Sequence, residues 1–291
     1  MQSLKPFEYF EPSSIQEALQ ILSMYGNRAK LLAGGIDLLP RMRQRKIKPE
    51  YMISVHRMQG FEYIKSEPGG LKIGALTTLR SLELSPVIKR DYMVLYEAIQ
   101  GIASTQVKTT GTAVGNLCVA TPASDVAPPL SVLGAKLEAT SSGSVRTIAI
   151  DNLCTGVGTT VLEPFEMVTE ILVPVPPPQT GSAFLKLVRT AADIAKVNVA
   201  VTLTIENDSI KEAKIALGSV APTLVRAIKA EAALIGNKFG KEVIEAAADA
   251  AAEEITPITD IRSTAEYRKR TTSVLVGRAI QKAAERAMAS I

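Results

Sequence analysis

Two glycine-bearing bends carry most of the chemistry legible in this sequence. The first is Ala33-Gly34-Gly35-Ile36-Asp37-Leu38-Leu39-Pro40, which follows a short apolar run and leads into a helical one. Adjacent glycines let a backbone approach a ligand closely and take positive φ. The helix start behind them offers unpaired N–H groups and the positive end of a dipole, a combination that seats phosphate. On spacing alone a tight turn with Asp37 as helix N-cap is the favoured reading, because strand–Gly–Gly–helix turns are common. The second bend is Thr109-Thr110-Gly111-Thr112-Ala113-Val114-Gly115-Asn116, followed by Thr121-Pro122-Ala123-Ser124-Asp125. Its short hydroxyls, backbone N–H groups and one amide suit phosphate and ribose oxygens. An ordinary surface loop is the alternative. Its 22 residues from Ser104 to Asp125 exceed the usual length of a structureless loop, which favours function.

Other chemistries find little support. The nearest approach to a Walker loop, Gly236 to Glu242, is one residue short and lacks the Ser or Thr that magnesium needs. Gly156-Val157-Gly158 begins like a dinucleotide fingerprint, but Val161 stands where the third glycine belongs. There is no G-x-S-x-G elbow. With two cysteines, Cys118 and Cys154, and one histidine, His56, the chain cannot supply four thiolates to an iron–sulfur cluster or the usual ligands to zinc. His56 ends an expected strand and reads as a partly buried structural residue. Cys118 beside the second bend reads as a small buried thiol, with no His or Lys next to it to lower its pKa.

The elements that must position these bends follow from periodicity. Ser14 and Glu17 have the spacing of a capping box, and Ile15, Ala18, Leu19 and Leu22 then share one helical face. Strands are expected at 30–33 and 51–55, with a helix starting near Ile36, so residues 1–55 form a small β–α–β unit. Hairpins are expected around Pro68-Gly69-Gly70 and Ser142-Gly143, a helix over 93–103, a long loop over 104–125 and a strand over 167–175. Pro174, Pro176, Pro177 and Pro178 mark a linker, because proline gives no donor to a sheet. Beyond it, 198–205 and 213–217 make an antiparallel pair, followed by alanine-rich helices at about 224–234, 241–254 and 264–289.

The bulk numbers bound the class of protein. A chain of 291 residues, 46% hydrophobic and 21% charged, is ordinary for a globular protein of two or three domains. The net charge of +4 is too small to imply a nucleic-acid partner. The basic run Arg41, Arg43, Arg45, Lys46 and Lys48 has no interleaved aromatics for base stacking and reads as a solvated helix end. No run is long enough to span a bilayer, and the N-terminus lacks a leader pattern. Two cysteines outside any disulfide framework point to a reducing compartment, hence the cytoplasm.

Taken together, AGGIDLLP, GTAVGN with TPASD, FLKLVR with ADIAKV, GSVAPT and SAEYRKR occur in an order that resembles the medium, FAD-binding subunit of the molybdenum hydroxylases of the carbon monoxide and xanthine dehydrogenase type. The likeness extends from PFEYFEPSSIQEAL over nearly the whole chain. It implies an α+β fold: a p-cresol methylhydroxylase-type FAD-binding domain of two subdomains, 1–55 and 56–176, then a C-terminal flavoprotein domain, 177–291, with a three-stranded antiparallel sheet and three helices. It also implies FAD stretched between the first two subdomains. Ala33, Gly34, Gly35, Ile36 and Asp37 would wrap the pyrophosphate from one side. Thr110, Gly111, Thr112, Ala113, Val114, Gly115 and Asn116 would close on it from the other. Asp125 would hydrogen-bond the cofactor, Leu162 would lie near adenine, and Lys186 near the flavin ring.

The implied partners are a large molybdopterin subunit and a small subunit with [2Fe–2S] clusters, as a dimer of heterotrimers. Substrate would be oxidised on the large subunit, and electrons would pass through FAD to an external acceptor. Two residues depart from the family pattern. Ile36 stands where a polar residue is usual and Val114 where a glycine is usual, so altered binding geometry is expected. Those departures motivate a rival reading, a structural or assembly subunit with a degenerate FAD site. With only two cysteines, the family variant that carries an extra [4Fe–4S] insertion is excluded. The C-terminal GSVAPT and SAEYRKR segments argue against a stand-alone reductase on the same cofactor fold.

Overall fold

The computed structural model describes residues 3–289. Its N-terminal unit runs β1 (Glu8–Phe10), α1 (Ile15–Tyr25), β2 (Ala29–Leu32), α2 (Leu38–Arg43) and β3 (Tyr51–Ser54). The three strands form a parallel sheet in the order β1-β3-β2. Ala18, Leu19 and Leu22 of α1 bury against Ala29, Ile53 and Val55, as the helical spacing predicts. The helix start differs from a reciprocal capping box. Ser14 Oγ accepts from the Glu17 N–H at 3.2 Å, but the Glu17 carboxylate accepts from the N–H of Ser13, not Ser14.

The middle unit holds β4 (Ile64–Glu67), β5 (Gly70–Gly74), α3 (Leu79–Leu84), α4 (Pro86–Asp91), α5 (Met93–Gln100), α6 (Thr105–Thr110), α7 (Ala113–Cys118), α8 (Ala127–Val132), β6 (Lys136–Thr140), β7 (Val145–Ala149), β8 (Cys154–Gly156), β9 (Thr159–Thr160) and β10 (Met167–Val173). Five strands make an antiparallel sheet, β4-β5-β10-β6-β7, and β8 with β9 forms a separate hairpin. The expected loop over 104–125 is instead mostly helical. Ser104 caps α6 by accepting from the Val107 N–H, and Thr112 caps α7 by accepting from the Gly115 N–H. Short hydroxyl residues read as loop formers are here the caps of two short helices.

The C-terminal unit has β11 (Thr180–Leu187), β12 (Val197–Glu206), β13 (Ser209–Gly218), β14 (Val225–Arg226), α9 (Ile228–Leu234), α10 (Lys241–Glu253) and α11 (Ala265–Ala289). Its sheet has four strands, β11-β12-β13-β14, where three were expected. The extra strand lies where a helix was expected to begin. Val225 and Arg226 pair with β13, and the helix starts only after the Ala227 N–H donates to the Ile215 carbonyl.

Strand β12 is buried on both faces, which fixes how the units meet. Val197, Val199, Val201, Leu203 and Ile205 join a core with Ala279, Ile280, Ala283, Ala284 and Ala287 of α11. The alternate residues turn toward the middle unit, because side chains along a strand switch faces with period two. Ala200 enters the middle unit's core, Thr202 donates to the Val132 carbonyl, and Asn198 reaches the chain just before α8. A second tie is Glu97 of α5, which accepts from the Phe184 N–H and pairs with Lys282 and Arg286 of α11.

Candidate functional site

The first bend, Ala33 to Asp37, joins β2 to α2. Gly35 has φ +68°, so a side chain here is disfavoured; a Cβ would also sit 2.9 Å from Leu39. Gly34 is glycine for a different reason. A Cβ there would lie 1.9 Å from the Thr110 carbonyl oxygen and 3.2 Å from the Gly111 Cα. The first bend is therefore pressed against the second. No N–H of Gly34, Gly35, Ile36, Asp37 or Leu38 has an acceptor among the described residues. Five consecutive backbone donors are thus left unbonded at the start of α2. Asp37 occupies the N-cap position, but its exposed side chain makes no cap bond. The simple capping alternative for this residue does not hold.

The second bend is rigid. Gly111 accepts from the Leu79 N–H, and the Ala113 N–H donates to Thr77, pinning it to the chain ahead of α3. The N–H groups of Thr112 and Val114 have no acceptor among the described residues. Asn116 Oδ1 accepts from Ser124 Oγ at 2.6 Å, and Ser124 Oγ in turn accepts from the Val126 and Ala127 N–H groups. Val114, expected to disturb the backbone, lies in α7 without positive φ, and its side chain fills the middle core. Its bulk points away from the bend. Ile36 is 41% exposed and faces Gly111, where an added Cβ would lie 3.6 Å from its Cγ1.

Asp125 and Lys186, given separate cofactor contacts by the sequence likeness, are paired with each other. Lys186 Nζ lies 2.6 Å from Asp125 Oδ2 and also donates to the Gly101 carbonyl. Asn198, paired with Lys186 across β11 and β12, donates to Asp125 Oδ1 at 2.8 Å. Burial pushes the Asp125 carboxyl above its ordinary range, with Lys186 and Asn198 pulling the other way. Gly218, opposite Asn198, has no room for a side chain, since a Cβ would lie 2.1 Å from Asn198 Oδ1. Leu162 packs on the middle core.

A cleft of about 190 Å³ runs between the middle and C-terminal units, lined among others by Thr121, Ala123, Val157, Ile194, Ser219 and Arg268. Arg268 is buried and donates to the Lys196 and Ser219 carbonyls and to Asp260, yet its Nε and the Ser219 Oγ have no partner among the described residues. Asn198, which holds the Asp125 carboxylate, was missed. For Asn198 the signal was present: an amide inside an otherwise apolar strand must find a polar partner. His56 is exposed, not partly buried, because it lies just beyond the end of β3. Burial, with Cys154 beside it, pushes the Cys118 thiol up to about 12, so this sulfur is a poor nucleophile.

Two joined units that present unbonded N–H donors at one contact, backed by a third that supplies a lysine and an amide, define a class of dinucleotide-binding α+β protein. Residues 5–176 match the family described as "FAD binding domain in molybdopterin dehydrogenase". Residues 182–283 match the CO dehydrogenase flavoprotein C-terminal domain. The chain is 36% identical to the carbon monoxide dehydrogenase medium chain of Hydrogenophaga pseudoflava, covering 95% of this chain and 96% of that one. It is 31% identical to the glyceraldehyde dehydrogenase medium chain of Sulfolobus acidocaldarius, over 96% of this chain and 98% of that one. Among solved structures it superposes on a chain of the Hydrogenophaga pseudoflava carbon monoxide dehydrogenase with a TM-score of 0.95 at 36% identity, covering 98% and 99% of the two chains. For quinoline 2-oxidoreductase from Pseudomonas putida 86 the TM-score is 0.93 at 28% identity, with 99% and 100% covered. The chain belongs to the FAD-binding medium-chain family of the carbon monoxide and xanthine dehydrogenases, and is a flavoprotein oxidoreductase subunit.

Proposed function

We propose that this chain accepts electrons from the [2Fe–2S] clusters of a small partner subunit onto FAD and passes them to an external acceptor, while a large molybdopterin subunit oxidises the substrate. One observation carries the cofactor part of the reading. Two bends far apart in the chain touch at Gly34 and Thr110, and each presents N–H groups with no acceptor among the described residues. Flavin, when bound, supplies the ability to take electrons singly and release them singly or in pairs.

The chain's residues supply the rest. Gly34, Gly35, Ile36, Asp37 and Leu38 would hold the pyrophosphate through backbone donors. Thr112 and Val114 would add donors from the facing bend, with Ala113, Gly115 and Asn116 shaping it. Asp125, held by Lys186 and Asn198, would accept from the cofactor's hydroxyls, and Leu162 would pack near adenine. Because these donors are backbone groups, Ile36 and Val114 do not remove them. The degenerate-site alternative therefore gains no observation in its favour.

The same reading divides the chain into 1–55, 56–176 and 177–291 and places it in a cytoplasmic dimer of heterotrimers. Among the described residues no helix is long and apolar enough to cross a membrane. The test is to purify the intact complex, identify its chains by mass spectrometry, and measure flavin, molybdenum and iron on the same sample. About one flavin per chain, with molybdopterin- and cluster-bearing partners, is expected. Partners without flavin, even after reconstitution of the purified chain with FAD, would leave a scaffold role instead.

A further inference from the structure

Arg41 lies on α2, four residues beyond Asp37 and three beyond Leu38, on the face that continues from the row of unbonded N–H groups. Side chains on a helix lean toward its N-terminus, so Arg41 leans back over that row. It also reaches across to the middle unit. A Cβ added at Gly158 would lie 3.5 Å from Arg41 Nη2. Gly158, at φ +76°, turns the β8–β9 hairpin, and its N–H donates to the Ala120 carbonyl just past α7. Its neighbour Val157 lines the cleft between the middle and C-terminal units. Arg41 thus spans the same two units that the glycine bends join.

No carboxylate lies within ion-pair distance of this guanidinium, Asp37 included, and it makes no hydrogen bond among the described residues. The next arginine, Arg43, is exposed at the end of the helix. A half-buried guanidinium with no anion of its own, beside a row of donors that also lacks one, is a site short of negative charge. Arginine's planar fork matches the geometry of phosphate oxygens.

We infer that Arg41 binds the pyrophosphate of the dinucleotide through its side chain, a contact outside the family motif. This rests on the reading that the chain binds FAD. It gives the apolar Ile36 a context: a polar contact absent at the bend is supplied one helical turn further on.

The experiment is titration of the full apo-chain with FAD, followed by flavin fluorescence, at low and high salt, for wild type, Arg41→Gln, Arg41→Lys and Arg43→Gln. A hydrogen-bonded charge contact corresponds to roughly a tenfold or larger change in dissociation constant. Arg41→Gln is expected to weaken FAD by at least that factor and to flatten the dependence on salt, since the screened charge is gone. Arg41→Lys should keep most of the salt dependence and recover part of the affinity, and Arg43→Gln should match wild type. The unfolding temperature of the apo-chain should not move in any variant. Arg41→Gln binding FAD with wild-type affinity, or weakened with the salt dependence unchanged, overturns the role of Arg41 while leaving FAD binding in place. Wild type failing to bind FAD overturns the functional reading itself, and this inference with it.

Discussion

Replacing Gly34 by alanine tests the contact on which the cofactor site depends. The added methyl would sit 1.9 Å from the Thr110 carbonyl oxygen, about 1.5 Å short of ordinary van der Waals contact. Neither side yields cheaply. Thr110 ends α6, and the Gly111 that follows is fixed by the Leu79 N–H. On the other side Gly34 lies two residues past the end of β2, the strand that pairs with β3. The two bends must therefore separate by roughly the shortfall. Overpacking of this kind costs about 1–3 kcal/mol, or a fall in Tm of about 2–5 °C for a chain of this size. Parting the donors should also weaken FAD at least tenfold, because positioned donors lose most of their value when displaced by an ångström. Gly143→Ala is the control, as a Cβ there meets nothing within 4 Å. The assays are thermal unfolding by circular dichroism and flavin fluorescence titration. A Gly34→Ala chain that melts and binds FAD like the Gly143→Ala chain would refute the claim that the two bends are held in contact at this point.

Three further outcomes are expected. Lys186→Met should destabilise the protein by about 3–5 kcal/mol, because it strands the buried Asp125 carboxylate; Asp125→Asn with Lys186→Met should cost clearly less, as urea unfolding would show. Burial raises the Glu97 pKa, but its bonds to Arg286, Lys282 and the Phe184 N–H outweigh this, and the net shift is downward. Its contribution to stability is therefore present above the ordinary carboxylate pKa and lost as pH falls through the lower, folded value. Stability measured from pH 7 to pH 3 should fall less steeply in Glu97→Gln than in wild type, and equal slopes would remove Glu97 from the acid response. Gly181→Ala should cost about 2–3 kcal/mol in urea unfolding, since its Cβ would lie 1.9 Å from the Ala283 carbonyl and drive β11 off α11. A neutral result would mean that strand and helix have slack there.

What the sequence determined by itself was set by local chemistry. The spacing of Ile15, Ala18, Leu19 and Leu22 fixed α1, the Pro68-Gly69-Gly70 and Ser142-Gly143 turns fixed two hairpins, and the ordered motifs fixed the family. The periodicity of residues 104–125 was not legible, because helices of six residues show less than two turns of pattern and their caps resemble loop residues. Strand β14 was equally hidden, being two residues held only by the edge of β13. Tertiary structure alone decided that Gly34 meets Thr110, that Arg41 lies beside Gly158, and that Asn198 and Lys186 converge on Asp125. Each of these contacts joins residues more than sixty positions apart. Period and composition record what a residue prefers near itself in the chain; a contact at that separation exists only once whole units have packed.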